Sequence, residues 1–127
     1  MLKRAGKRNK NRVKKMDYKV RFPTGWTTTD SFNDNIDINV VLENGEVYWG
    51  TLFTMQNIKY LMEKEGNSFF WSIYMVIVSE LNPKSIHDLI NSIVDGGVID
   101  QVFSNIGTIE QQFPGLTFQD IPDIEWG

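Results

Sequence analysis

An Asn-Gly dipeptide, Asn44-Gly45, lies in the middle of residues 36–53, a stretch rich in β-branched and aromatic side chains. Asn-Gly is the preferred pair for a two-residue type I′ turn, because both of its central positions need a positive φ. The pattern therefore predicts a β-hairpin whose turn consists of these two residues. In that register Glu43 faces Glu46 beside the turn, where water screens the repulsion between their charges.

The same register predicts which side chains share a face of the hairpin. It pairs Val40 with Trp49 and places both on the core face, together with Phe53. Tyr48 falls on the other face and is expected to be exposed. Trp26 and Trp126 lie in irregular segments, and the sequence leaves open whether they cover the core or form a partner surface.

Helical signals follow the hairpin. Thr54 is a predicted N-cap for a helix over 55–65 that ends at Gly66. Asn82 is a predicted N-cap for a second helix that ends at Gly96, and a short third helix is predicted over 99–106. The residues predicted to face the core are Met55, Ile58, Leu61 and Met62 in the first helix and Ile86, Leu89, Ile90, Ile93 and Val94 in the second.

Two further segments have strand patterns. Residues 17–22 alternate apolar and polar side chains, which predicts a half-buried strand. Residues 69–78 are apolar on both sides, which is typical of a central strand. The order of elements predicts an α+β fold with an antiparallel or mixed sheet of about four strands and two to three helices packed on one face.

Charge divides the chain into two parts. Residues 1–16 hold eight of the thirteen Lys and Arg and none of the sixteen Asp and Glu, so residues 17–127 keep five basic against sixteen acidic groups and carry −11. The basic segment has too few apolar residues to fold alone and is predicted to be disordered. Residues 17–127 are predicted to form a single domain. One interpretation is that translation starts naturally at Met16.

The sequence shows no pattern typical of an enzyme. It contains no cysteine, and His87 is its only histidine. Its glycines do not form a phosphate-binding motif. We therefore expect a protein without catalytic residues, bound metal or cofactor. The longest apolar run, residues 69–78, is far shorter than the ~20 residues that span a bilayer, so no membrane contact is expected. The absence of cysteine makes the reducing cytoplasm the simplest expected compartment.

The acidic domain predicts a basic protein partner, because opposite charges speed association and select the partner. The predicted contact residues are Asp37, Glu43, Glu46, Tyr48, Glu63 and Glu65. An alternative is a nucleic-acid-associated accessory protein, in which the basic arm of residues 1–16 binds phosphates.

A resemblance favours the first of these functions. The runs DINVVLENGEVYWGTLFTMQNIKYLMEK and FFWSIYMVIVSELNPKSIHDLINSIVDGG, within residues 37–106, look like a group of small bacterial proteins. Proteins of this size and charge balance are similar to immunity proteins, which neutralise polymorphic or contact-dependent toxins. The resemblance implies a cognate toxin domain, such as a nuclease, as the partner. Its motifs are structural, and it assigns no contact residue.

Overall fold

The strand β3 organises the fold of residues 15–123, the part of the chain that the computed structural model describes. The strands are β1 (Tyr18–Arg21), β2 (Asn35–Leu42), β3 (Glu46–Thr54), β4 (Met75–Val78) and β5 (Ser104–Thr108). The helices are α1 (Met55–Glu65), α2 (Pro83–Asp95), α3 (Ile99–Val102) and α4 (Ile109–Gln112), followed by a 3₁₀ turn at Phe118–Asp120. The predicted α+β class is confirmed.

The sheet is mixed because β3 has different neighbours along its length. β2 lies antiparallel on one side, with β1 beyond it. On the other side, the first half of β3 pairs antiparallel with β5 and the second half pairs parallel with β4. The parallel pair needs a crossover, and α1 with the segment after it supplies that connection.

The β2–β3 hairpin has a longer turn than predicted. Gly45 N–H donates to Leu42 O at 2.9 Å, and the strands pair Val41 with Val47. Gly45 has φ +98°, whereas Asn44 does not have a positive φ, which excludes a type I′ turn. The turn is instead a three-residue loop that ends in a left-handed glycine. Asn44 Oδ1 stabilises it by accepting the Glu46 N–H at 3.0 Å.

The one-residue shift exchanges the two faces of β3. Tyr48 lies opposite Val40 on the main core face and is only 3% exposed, so its predicted exposure was wrong. Trp49 and Phe53 lie on the opposite face, where Trp49 is half-buried and Phe53 is buried. The prediction failed because β3 carries apolar side chains on both faces, so hydrophobicity alone does not fix its register against β2.

Two hydrophobic clusters lie on opposite faces of the sheet. The larger cluster packs α2 and α3 against β1–β4 and includes the fully buried Phe103. The smaller cluster packs α4 and the 3₁₀ turn against the hairpin near its turn. Its buried members are Val41, Val47, Ile109 and Ile121. Helices α2 and α3 therefore share one face, and α4 covers part of the other.

The bounds and caps of the first two helices agree with the prediction, but the buried face of α1 does not. Thr54 and Asn82 accept the capping N–H groups, and Gly66 and Gly96 end the helices. In α1, however, the buried residue is Asn57, and Met55 is 67% exposed. The apolar stripe of α1 therefore lies largely at the surface.

Two other predicted elements are shorter than expected. Residues 69–78 form a strand only at β4, and β4 lies at the sheet edge rather than at its centre. The predicted helix over 99–106 ends at Val102, because Ser104 begins the pairing of β5 with β3. Trp26 is 41% exposed and meets Phe22 edge to face at 4.9 Å. The prediction for Trp126, and that for residues 1–14 of the basic arm, lie outside the described residues.

Candidate functional site

Four acidic residues lie at or beside the β2–β3 turn, and we call them the turn carboxylates: Asp17, Glu43, Glu46 and Glu110. Asp17 and Glu43 are joined through their backbones, because Glu43 N–H donates to Asp17 O at 3.0 Å. The Glu43 carboxylate in turn accepts the Asp17 N–H. Ile109 N–H donates to Gly45 O at 2.8 Å, which places the start of α4, and hence Glu110, beside the turn.

Tyr48 holds the carboxylate of Glu46 in place by a hydrogen bond. Its hydroxyl donates to Glu46 Oε1 at 3.1 Å, and its ring is buried in the main core. Burial, and then the Glu46 carboxylate, raise the pKa of Tyr48. Tyr48 therefore remains a neutral hydrogen-bond donor at physiological pH, and Glu46 has less freedom than an ordinary surface carboxylate.

The basic side chains of the described domain are engaged away from the turn. Lys19 Nζ donates to the backbone carbonyls of Phe118 and Ile121 at 2.6 and 2.7 Å. The guanidinium of Arg21 lies over the Phe113 ring. Three more contact their own helices: Lys59 pairs with Glu63, Lys64 lies over the ring of Tyr60, and Lys84 pairs with Asp88. The sixth, Lys15, pairs with Asp95. Among residues 15–123, no ion pair neutralises a turn carboxylate.

The structure brings together three of the six predicted contact residues: Glu43, Glu46 and Tyr48. Asp37 lies farther along the hairpin, where its Oδ1 accepts the Thr51 hydroxyl at 2.9 Å. Glu63 and Glu65 lie on the last turns of α1, and Glu63 pairs with Lys59 at 3.5 Å. These three residues are therefore not part of the turn site.

Sequence reasoning missed Asp17 and Glu110. They are far from the turn along the chain and reach it only through the pairing of β1 with β2 and the docking of α4. No local pattern marks them. The contact of Asp17 with Glu43 follows from the β1–β2 register, which pairs Tyr18 with Leu42.

A second acidic region lies beside the first, around Tyr18. The Tyr18 hydroxyl donates to Asn91 Oδ1 at 2.7 Å and lies 3.2 Å from His87 Nδ1. Burial, and then the charges of Asp95, Asp123 and Asp88, raise the pKa of Tyr18 to about 12. This region is less anionic than the turn, because Lys15 pairs with Asp95 at 3.3 Å and Lys84 pairs with Asp88 at 2.7 Å.

An uncharged apolar surface lies on the connection between β3 and β4, and we call it the crossover surface. Its most exposed members are Phe69, Trp71, Ile73 and Ile77, each more than half exposed. Phe70 points the other way and packs on Phe53 with ring centroids 4.9 Å apart. The sequence signal is the absence of charge from Gly66 to Ser79, which the strand prediction assigned to burial.

A groove runs along the exposed side of α1, within the same connection. It has a volume of about 470 Å³, and Met55, Ile58 and Met62 form its apolar floor. The Lys59–Glu63 ion pair and Gly66 lie at its rim. The apolar stripe that the sequence assigned to the core thus lines an open groove.

Within residues 15–123, no three His, Cys, Asp or Glu side chains are arranged to hold a metal ion. None of the helices described is long and apolar enough to cross a membrane. The fold and the site together define an α+β protein with an anionic turn and an uncharged, apolar crossover surface. Comparison with models of protein families, with curated proteins and with solved structures finds no match to this chain.

Proposed function

We propose that this protein is a non-enzymatic binding protein of the immunity class. It binds a basic toxin domain, such as a nuclease, and covers the active site of that domain. The observation that carries the proposal is the group of turn carboxylates, which Lys and Arg side chains of the described residues leave without ion pairs.

A nuclease holds nucleic acid in a positively charged cleft. Carboxylates can occupy such a cleft in place of phosphates, and a long-range attraction between the two surfaces raises the association rate. The turn carboxylates suit this role because Glu43 and Glu46 lie on the hairpin and Asp17 and Glu110 lie on segments that hydrogen bonds hold against it. Backbone hydrogen bonds fix Asp17 and Glu43, and the buried Tyr48 fixes Glu46.

Neutral variants of equal shape test the proposal. Glu43→Gln/Glu46→Gln keeps an acceptor oxygen for Asp17 N–H and for the Tyr48 hydroxyl but removes two negative charges. The control is Glu63→Gln/Glu65→Gln, which removes the same charge from α1. The probe is the protein that the adjacent gene encodes, with association measured by stopped-flow fluorescence at low and high salt.

We expect the turn variant to slow association by about tenfold at low salt, because steering by charge contributes ten- to thousandfold to such rates. The difference should shrink as salt screens the charges. The α1 variant should associate at nearly the wild-type rate. Equal slowing by both variants, or a turn variant with an unchanged rate, would contradict the assignment of the turn as the contact surface.

Protection of cells supplies the second measurement. Co-expression of the wild-type chain should relieve growth arrest caused by the neighbouring gene product. Relief should weaken with the turn variant at equal protein abundance. A neighbouring gene product that is not toxic, and that this chain does not bind, would refute the immunity function itself.

A further inference from the structure

β4 leaves one edge of the sheet open, and no strand within residues 15–123 pairs with its outer side. Thr51 N–H donates to Tyr74 O at 3.0 Å, so Tyr74 directs its carbonyl toward β3. Backbone groups alternate along a strand, so Val76 also faces β3. Met75 and Ile77 therefore direct their N–H and C=O groups outward.

This edge is short, at four residues, but it lacks the other features that normally prevent strand addition. Natural proteins place charged residues, proline or bulges on open edges. Here no Lys, Arg, Asp, Glu or Pro occurs from Gly66 to Ser79. Exposed apolar side chains adjoin the edge instead, with Ile77 on it and Trp71, 72% exposed, just before it. Open backbone groups beside an apolar surface are what an added strand would cover.

We propose that a second copy of this chain covers this edge. Two β4 strands pair antiparallel about a twofold axis and join the two sheets into one. With Val76 on the axis, Met75 exchanges both backbone hydrogen bonds with Ile77 of the second copy. Met75 and Ile77 lie on the same face of the sheet, so the apolar side chains of these cross-strand neighbours also meet.

Charge favours a second copy over the cationic partner. A partner attracted by the acidic domain would bring Lys or Arg side chains, and the crossover surface offers them no carboxylate. Burying such charges unpaired is costly. A second copy brings an identical uncharged surface, so no charge is buried.

The position of the edge also keeps the two acidic turns apart. β4 pairs with Thr51–Thr54, at the end of β3 that is roughly 20 Å from the turn at Glu46. In the antiparallel arrangement the two turns lie at opposite ends of the joined sheet.

The connection between β3 and β4 also gives each copy an apolar projection, Trp71, and an apolar groove on α1, as a self-complementary interface requires.

The inference does not depend on the proposed function, because the turn carboxylates and the crossover surface are separate. The test measures the mass of the full chain in solution by sedimentation equilibrium across the micromolar range. Ile77→Lys places a charge on the edge, and the control Leu116→Lys places one on an exposed apolar residue elsewhere. Circular dichroism establishes that each variant is folded.

We expect the wild type and Leu116→Lys to sediment at twice the 14.7 kDa mass of one chain. Ile77→Lys should weaken the dimer about 100-fold, because a charge would be buried at the centre of the interface. A wild type that is monomeric throughout, or a folded Ile77→Lys that dimerises as well as the control, would overturn the proposal.

Amide hydrogen exchange of the wild type supplies a readout that does not depend on a variant. The outward N–H of Ile77 should be protected in the dimer and lose that protection on dilution, whereas Val78 N–H should change less. Protection of Ile77 that is independent of concentration would overturn the proposal. Protection that arises only when the product of the adjacent gene is added would also overturn it, because the edge would then bind that protein.

Discussion

The ring of Phe103 lies directly against Gly50, in the space that a β-carbon at residue 50 would occupy. Phe103 is fully buried between α3 and β5, and Gly50 lies in the middle of β3. The backbone oxygen of Tyr74 lies 2.9 Å from the same position, on the side of β4. Gly50 is therefore needed for close packing and not for turn geometry.

We expect Gly50→Ala to lower the free energy of unfolding by about 1–3 kcal/mol, as overpacked cores do. Urea unfolding followed by circular dichroism measures the loss. Adding Phe103→Leu, which removes ring atoms at the point of contact, should make Gly50→Ala less costly than it is alone. Additive effects in this double-mutant cycle would contradict the contact.

Asn57 attaches α1 to the start of β2 and to the segment before it. It is buried, its Oδ1 accepts Asn35 Nδ2 at 2.8 Å, and its Nδ2 donates to Asn33 Oδ1 at 3.0 Å. Asn57→Ala leaves both partners without their bonds, and we expect a loss of about 1–3 kcal/mol in unfolding free energy. Gln56→Ala, at the exposed position before it, is the control and should change stability by less than about 0.5 kcal/mol.

Lys19 holds the segment after α4 against the sheet. Its ammonium donates to the carbonyls of Phe118 and Ile121 and lies 4.7 Å from the centre of the Phe118 ring. Lys19→Met keeps the aliphatic stem but removes these bonds. We expect faster exchange of the Ile121 amide, with a local loss of about 1–3 kcal/mol, while amides in α2 stay protected. Unchanged protection at Ile121 would show that apolar packing alone holds this segment.

Tyr18 makes the free energy of unfolding depend on pH in the alkaline range. Its pKa is raised from 10.0 to about 12, first by burial and then by the charges of Asp95, Asp123 and Asp88. The fold therefore favours the neutral phenol. This contribution to stability is complete below pH 10 and is lost as the pH rises from 10 to about 12.

Tyr18→Phe removes the ionisation and keeps the ring. Between pH 10 and 12 the wild type should lose stability more steeply than this variant, as measured by urea unfolding. An ultraviolet titration should show a tyrosine that ionises near pH 12 in the wild type and is missing from Tyr18→Phe. Parallel stability curves for the two proteins in this range would contradict the raised pKa of Tyr18.

Local signals in the sequence were sufficient for much of the fold. Thr54 and Gly66 mark the two ends of α1, and Asn82 and Gly96 mark those of α2. These ends could be predicted because caps depend on side-chain and backbone groups that are a few residues apart. The alternation in residues 17–22 also located β1. The Asn44-Gly45 pair identified the hairpin, although the turn contains one residue more.

Long-range pairing accounts for what the sequence did not predict. Asn44-Gly45 is compatible with turns of two lengths, and the docking of α4 at Gly45 and of Phe103 at Gly50 suits only the register with the longer turn. The run from Phe69 to Val78 has the composition of a central strand, but β5 occupies half of that side of β3, and no strand within residues 15–123 pairs with the outer side of β4.

The sequence alone was sufficient to predict the acidic charge of residues 17–127, because charge depends on composition. It was also sufficient to predict the helix ends and the hairpin, because these depend on residues that are close together in the chain. Asp17 meets Glu43, and Glu110 reaches the turn, only after β1 and α4 have docked. The exposure of the apolar crossover surface is likewise decided by how the elements pack. Burial depends on which elements cover a segment, and that is a property of the assembled sheet and not of the segment.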